Sequence, residues 1–233
     1  MVDALLERGT IEIVERTDGT HELRRNERSP ADKAEALPST LEQLIGDRIR
    51  ELPTAEHDVV DWLAVAGGPL LETDILALTR LEDDEAIMRL CARGLCDRKQ
   101  GVIDFRHPLA RDVAYLALDA SSRTRMHRLL GEHLVTTPLA QGLSAAIVAR
   151  HLARGDASGQ AAELYLEAAG AARTAHQAQL AQRYYLRALS LLPPTDGRRL
   201  VAHESLEAIY RYLGRRRERR LHLSAMRKLA REM

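Results

Sequence analysis

Residues 162–195 constrain the fold of this chain more than any other part of its sequence. In stacked helical hairpins, small residues are required where two helices cross closely, a large residue fills the gap between hairpins, and a helix breaker ends the unit. Counted from Ala162, positions 8, 20 and 27 are small, position 24 is large and position 32 is a proline. In that order the five residues are Ala169, Ala181, Ala188, Tyr185 and Pro193. The spacing predicts a pair of packed helices that stacks against a similar pair.

A second unit that starts near residue 200 matches this pattern less well. Leu206, Tyr210 and Gly214 suit its positions 7 and 11 and its inter-helix turn, but Arg219 stands at position 20, where a small residue is expected. Two interpretations stay open: repeats of the tetratricopeptide (TPR) kind, which we favour, and an irregular helical bundle. The helices predicted after residue 107 lie at about 108–118, 121–135, 143–154, 158–175, 177–192, 197–213 and 215–232.

The N-terminal segment has a different pattern. Residues 1–8 resemble the end of a helix, and residues 26–36 are expected to form an exposed loop. Between them, residues 10–15 and 21–24 are expected to pair as a short β-hairpin around the Asp18-Gly19 turn.

Four helices and a second hairpin are predicted next. One helix opens at Pro38, the next is capped by Thr54, a short one follows Thr73-Asp74, and the last is capped by Asp83-Asp84. Residues 95–106 are expected to form a β-hairpin. Three helices followed by such a hairpin are typical of a winged-helix domain.

Charge and cysteine content exclude several functional classes. The net charge is zero, so no field of the whole protein attracts nucleic acid or an anionic membrane. Cys91 and Cys96 are too few for a disulfide framework and lack the second pair of a zinc site. No apolar run approaches the ~20 residues of a membrane span, and Met1–Gly9 lacks a signal-peptide core. We therefore expect a cytoplasmic protein without metal or membrane.

Three stretches in the chain are together similar to one family. They are LPSTLEQLIGDRIREL (37–52), DFRHPLARDVAYLAL (104–118) with SRTRMHRLLGEHL (122–134), and VARHLARGDASGQAAELYLEAAGAA (148–172). In this order they resemble the C-terminal half of bacterial STAND-type signalling ATPases. That family includes LuxR-type regulators, and multidomain serine/threonine kinases and nucleotide cyclases with an ATPase–TPR tail. The resemblance implies the end of an ATPase lid region with a hairpin at 1–52, a winged-helix domain at 53–118 and TPR-like repeats at 119–233.

Motifs for catalysis are missing from the sequence. There is no G-x-x-x-x-G-K-[ST] phosphate loop, and Gly67-Gly68-Pro69 lacks the lysine. There is also no kinase H-R-D or D-F-G motif. We therefore expect no enzyme activity and no cofactor in this chain. ATP or ADP would bind in a longer parent protein, whose ATPase core would be one partner of this chain.

The resemblance singles out His107 as a nucleotide-sensing residue of such a parent. In STAND ATPases a histidine at the end of the winged helix contacts the β-phosphate of ADP, and His107 follows a predicted strand and opens a helix. The sequence departs from the family at Pro108, where many relatives have aspartate. The alternative is a structural histidine bonded to backbone. His127 and His151 lie on apolar helix faces, and we expect core or interface histidines there rather than ligands.

A basic patch precedes the C-terminus, at Arg215, Arg216, Arg217, Arg219 and Arg220. Such a patch can contact nucleic acid or an acidic partner, but no aromatic residues interrupt it for base stacking. In the winged helix, the predicted recognition helix at 83–93 begins with three carboxylates that repel phosphates. A solvated face or a protein interface is therefore favoured over nucleic-acid binding.

The function that these observations favour is that of a regulatory arm. Stacked hairpins form a concave groove from their first helices. The residues expected to face it are Glu163, Leu166, Arg173, Glu204, Ala208 and Arg211. A protein, a peptide or a small-molecule inducer bound there would bias a nucleotide switch elsewhere in the parent. The alternatives are a static adaptor arm of a kinase or cyclase, and a nucleic-acid-binding regulator that uses the basic C-terminal helix.

Overall fold

The computed structural model describes residues 11–15, 21–25, 37–137 and 145–232. Across them the chain is mainly helical, as predicted, with eleven helices and two small sheets. The helix end expected at 1–8 and the loop expected at 26–36 lie outside the described residues. The chain divides into two compact units, Met1–Gln43 and Leu44–Met233.

The first unit contains the predicted N-terminal hairpin. Strand β1 (Ile11–Glu15) pairs antiparallel with β2 (His21–Arg25), and Ile13 lies opposite Leu23. Helix α1 (Leu37–Arg50) begins in this unit.

The second unit starts with three helices and a three-stranded sheet. Its helices are α2 (Thr54–Ala66), α3 (Glu72–Thr79) and α4 (Glu85–Ala92). Its strands are β3 (Leu70–Leu71), β4 (Cys96–Lys99) and β5 (Val102–Phe105), in the order β3-β5-β4 with antiparallel pairing. β4 and β5 are the predicted second hairpin, whereas β3 was not predicted.

Of two predicted helix caps, the one at Thr54 is wrong, whereas the Asp83-Asp84 pair does cap its helix, through Asp83. Thr54 is already the first helical residue of α2, so the N-cap is Pro53 and makes no side-chain cap bond. Asp84 is the N-cap of α4 but also makes no such bond. The preceding carboxylate replaces it, because the backbone N–H of Glu85 donates to Asp83 Oδ1 at 3.0 Å.

Seven helices make up the rest of the second unit. They are α5 (Pro108–Ala117), α6 (Ala120–Thr136), α7 (Ala145–Arg154), α8 (Ser158–Thr174), α9 (Ala178–Leu191), α10 (Arg198–Tyr212) and α11 (Arg216–Glu232). From α6 onward each helix packs on the one before it, which gives three successive pairs, α6–α7, α8–α9 and α10–α11.

The small residues of the 162–195 unit lie where its helices cross. Ala169, Ala181 and Ala188 are completely buried, and Tyr185 is buried beside them. Helix α9 ends at Leu191, just before the prolines that were expected to stop it. This part of the sequence pattern therefore translates directly into close helix packing.

The stretch that starts at residue 200 departs from this pattern at two positions. In a unit that starts at residue 200, positions 8 and 20 are Glu207 and Arg219 instead of two alanines. Arg219 Nε donates to Glu207 Oε1 at 2.5 Å, with the carboxylate largely buried. An ion pair between α10 and α11 thus lies at the positions where the pattern expects two small residues.

Each helix pair also holds two rings in contact between its helices. The three ring pairs, with centroid distances of 5.1, 6.1 and 5.1 Å, are His127–His151, Tyr165–Tyr184 and His203–His222. Their first-helix members are 38 residues apart in both steps, from 127 to 165 and from 165 to 203. The three pairs of helices therefore repeat the same internal contact with different residues.

Candidate functional site

The residues expected to form the groove lie on α8 and α10, and most of them are exposed. Glu163, Arg173, Glu204 and Arg211 are exposed, whereas Leu166 and Ala208 are half-buried. Leu166 packs with the buried cores on both sides of α8. None of the six belongs to the buried core, so all of them are accessible in part.

The charges on these two helices are separated along their length. Glu163 and Glu204 lie in the first halves of α8 and α10, and Arg173 and Arg211 lie in their last turns. Glu163 is near the start of α10, because its charge contributes to the raised pKa of Arg198, whose main cause is the hydrogen bond to Asp196. Two N-terminal halves with acidic residues thus lie close together.

Helix α10 also exposes apolar side chains on the side that carries Ala208. Val201 is 55% exposed and Tyr212 is 84% exposed. Together with Ala208 they recur at spacings of seven and four residues, which places them on one side of a helix. A tyrosine this exposed is a natural contact residue for a partner, because it offers a large apolar ring and a hydroxyl.

His107 lies where the sequence placed it, between β5 and α5. It is the N-cap residue of α5, its imidazole makes no capping hydrogen bond, and the side chain is exposed. Its backbone carbonyl accepts from Ala110 N–H at 3.0 Å. The imidazole can therefore meet a ligand from outside this chain.

The basic patch splits into two groups. Arg219 is held by Glu207, as described above. Arg215, Arg216, Arg217 and Arg220 are exposed, and none of them forms a salt bridge with a carboxylate that the structure describes. Only four of the five predicted arginines thus remain for an external partner.

His127 and His151 are buried, as their apolar helix faces predicted. Their Nδ1 atoms lie 2.9 Å apart, and Tyr115 Oη lies 3.0 Å from His127 Nε2. Burial lowers the pKa of both imidazoles, and the arginines nearby add to the effect. Because one Nδ1 must donate and the other accept, this contact requires that the two rings are not both protonated.

Helix α6 is joined to α3 by a second polar contact. His133 Nε2 lies 2.8 Å from Asp74 Oδ1 and 3.3 Å from Thr137 Oγ1. A catalytic triad needs the carboxylate and the hydroxyl on different ring nitrogens. Here both meet the same nitrogen, so this arrangement is a structural link rather than a nucleophile with its base.

Burial disfavours the reactive thiolate form of both cysteines. Burial raises the pKa of both Cys91 and Cys96, in the second case to about 12. Within the ranges that the structure describes, no group of three His, Cys, Asp or Glu residues is placed to hold a metal ion. In those same ranges no helix has both the length and the apolar character needed to cross a bilayer.

One buried carboxylate lacks hydrogen bonds. Glu56 is 1% exposed, and neither of its oxygens accepts a hydrogen bond from the described residues. Arg93 Nε lies 3.1 Å from Glu56 Oε2, close enough for an ion pair but without hydrogen-bond geometry. Glu56 occupies the third helical position of α2, where a glutamate often bonds the N-cap N–H. Pro53 has no N–H to offer.

Compared with protein-family models, with curated proteins and with solved structures, the chain matches none of them.

Proposed function

We propose that this chain is a non-catalytic regulatory arm of a bacterial STAND-type signalling protein and that it binds a partner along α8 and α10. The observation that carries the proposal is the separation of charge on these exposed helices. Glu163 and Glu204 lie toward one end, and Arg173 and Arg211 toward the other. None of the four forms a salt bridge within the described part of the chain.

The TPR-like interpretation of α6–α11 has independent support. Alanines fill the helix crossings in one unit, and an ion pair replaces them in the next. The inter-helix ring pairs add a period of 38 residues at their first-helix members. Repeats of this kind present extended surfaces for partner binding.

The winged-helix interpretation rests on the order of elements before α5. Three helices, α2–α4, precede the β4–β5 hairpin, and β3 completes a small sheet. His107 leaves this sheet with its side chain exposed. In a parent protein with an ATPase core, this region would receive the nucleotide state, and His107 would contact the β-phosphate of ADP.

The charge pattern favours an amphipathic helix as the partner. A helix that runs antiparallel to α8 and α10 places its N-terminal turn beside Arg173 and Arg211. Acidic residues in that turn, and basic residues in its last turn, would match both the groove and the partner's own helix dipole. Leu166, Ala208 and Tyr212 would supply the apolar contacts of a helix-in-groove complex.

A library of helical peptides displayed on phage can test this proposal. Peptides that bind the wild-type chain are selected, and their affinities for wild type and for the charge swap Glu204→Arg/Arg211→Glu are measured by fluorescence anisotropy. The control swap is Glu85→Arg/Arg89→Glu, which reverses an exposed pair 2.7 Å apart on α4. We expect at least a tenfold loss with the first swap and none with the second. Equal affinity for all three proteins would refute binding along α8 and α10.

A static adaptor differs from a switch in one measurable respect. It would bind the same peptide without any effect on nucleotide turnover. In the parent protein, a selected peptide should change the rate of ADP release if the arm is regulatory, because a ligand shifts an equilibrium by its differential affinity for the two states. An unchanged rate at saturating peptide would favour the adaptor.

A further inference from the structure

The outer face of α11 carries a row of arginines. Residues 216, 220, 227 and 231 follow one another at spacings of four and seven, and Arg217 lies beside them. At 100° per residue these five fall within an arc of about 100° and extend over about 22 Å. All five are exposed.

These arginines differ in their surroundings from others in the chain. Arg98, Arg106 and Arg198 are tied to carboxylates at 2.7–2.9 Å. On α11, Glu218 lies on the opposite side, half-buried, and no arginine of the outer row forms a salt bridge with any side chain that the structure describes. The row is a local concentration of uncompensated positive charge in a chain of zero net charge.

Although the sequence alone favours a solvated face or a protein interface here, we propose that this face binds the phosphate backbone of duplex nucleic acid, whatever its base sequence. Guanidinium groups suit phosphate oxygens because their planar donors can bond them in pairs. Contacts to phosphates need only cations placed along a line, and they release counterions. The row therefore offers about five positive charges to a duplex, although the net charge of the whole chain is zero. This inference is independent of the groove on α8 and α10.

An acidic protein surface fits this face less well. Stable protein interfaces have a buried apolar centre inside a polar rim. At its margins the outer face of α11 offers Leu221, 64% exposed, and the half-buried Leu223. A partner protein would therefore find charge but little apolar surface to bury.

A membrane and a single strand also fit less well. Amphipathic helices bind membranes by inserting their apolar face, whereas α11 packs on α10 through His222 and Arg219, and its Leu229 is buried. Binders of single strands stack bases on several aromatic rings. The exposed arc of α11 contains no aromatic residue.

The test is a titration of a labelled random 20-base-pair DNA duplex, followed by fluorescence anisotropy at 50, 100 and 200 mM NaCl. For five phosphate contacts, log K should fall with log [NaCl] with a slope of about −4.5. The variant Arg216→Glu/Arg220→Glu/Arg227→Glu should lose more than tenfold in affinity and flatten the slope. The control Arg80→Glu/Arg183→Glu/Arg187→Glu changes the net charge equally but uses exposed arginines outside α11, and it should bind as wild type does.

Competition experiments separate the other partners. Polyglutamate, a single strand of the same length and vesicles with anionic lipid are added at equal charge in 150 mM NaCl. The duplex should be displaced only by unlabelled duplex. Displacement by any of the three, a slope near zero, or equal losses in the two triple variants would overturn the proposal. Melting curves of both variants establish that each remains folded.

Discussion

Acid should open the helix pair α10–α11 before it opens α8–α9. In α10–α11 the contact is between His203 and His222, whose Nδ1 atoms lie 2.8 Å apart, and in α8–α9 the corresponding rings are tyrosines. Burial lowers the pKa of His203 to about 4, and the charges of His222 and Arg199 add to the effect. Burial also lowers the pKa of His222. Burial, the partner ring and Arg199 therefore disfavour protonation of this pair, although Tyr210 stacks on His222 with ring centroids 5.3 Å apart.

The sign follows from proton linkage. The folded pKa of His203 lies below the value of 6.5 for a free imidazole, so the unfolded state binds the proton first. The stabilisation is complete above about pH 6.5 and is lost as the pH falls toward 4. At 1.36 kcal/mol per pKa unit, His203 alone costs about 2 kcal/mol of stability by pH 5. The pair His127–His151 acts with the same sign on α6–α7.

Hydrogen exchange at pH 7.5 and 5.0, corrected for intrinsic rates, measures this effect in each helix. Amides of α10 and α11 should lose protection at pH 5.0, while those of α8 and α9 lose much less. The variant His203→Tyr/His222→Tyr, which copies the middle pair, should remove about 2 kcal/mol of the loss between the two pH values. His176→Asn, at an exposed histidine with φ of 59°, is the control. If the tyrosine variant loses as much stability on acidification as wild type, the pair is not the acid-sensitive contact.

Three further predictions concern packing and nucleotide. Gly155→Ala should lower stability by roughly 1–3 kcal/mol, because a Cβ would lie 2.5 Å from the backbone of Arg128. Gly170→Ala, with open space around it, should raise stability by up to about 1 kcal/mol, and melting curves that shift alike for both would contradict this reasoning. Calorimetry should detect no ATP binding to the isolated chain, since it lacks a phosphate loop, and micromolar affinity would refute that expectation. His107→Ala should leave the melting curve of the chain unchanged. In an ATPase parent it should raise basal signalling about ten- to hundredfold, because one charge-assisted hydrogen bond to phosphate is lost. Unchanged basal activity of the parent would remove His107 from the mechanism.

Much of the helical layout could be predicted because its signals are local. The helix expected at 177–192 is Ala178–Leu191, and the one expected at 158–175 is Ser158–Thr174. Strand β3 escaped prediction because two residues are too few for an alternating pattern. The cap at Thr54 was wrong because the helix starts one residue earlier than a threonine cap would require.

Pairs of residues that interact between helices could not be predicted in the same way. Glu207 and Arg219 each stand where the pattern expects a small residue, and only the structure shows that they form an ion pair between two helices. The ring pairs could not be predicted from the sequence either, because positions 38 residues apart hold tyrosine in one pair and histidine in the other. Contacts between helices leave little trace in the identity of single residues, so they become visible only when the partners are known.

The position of the hydrophobic core bears on how a groove on α8 and α10 could influence the region around His107. One continuous core joins residues of α2–α5 to Leu130 of α6, Leu152 of α7 and Ala161 of α8. The first helix pair therefore packs directly on the region that contains the β3-β5-β4 sheet. Close-packed interiors deform little and tend to move as units. A partner that tilts α8 acts on α7, which packs against it. Helix α7 is in turn held tightly to α6, because an added Cβ at Gly131 would meet Leu152 and one at Gly155 would meet Arg128. Coupling between a groove and a nucleotide switch therefore requires no flexible linker in this unit, and substitutions at those two contacts should weaken it without altering either surface.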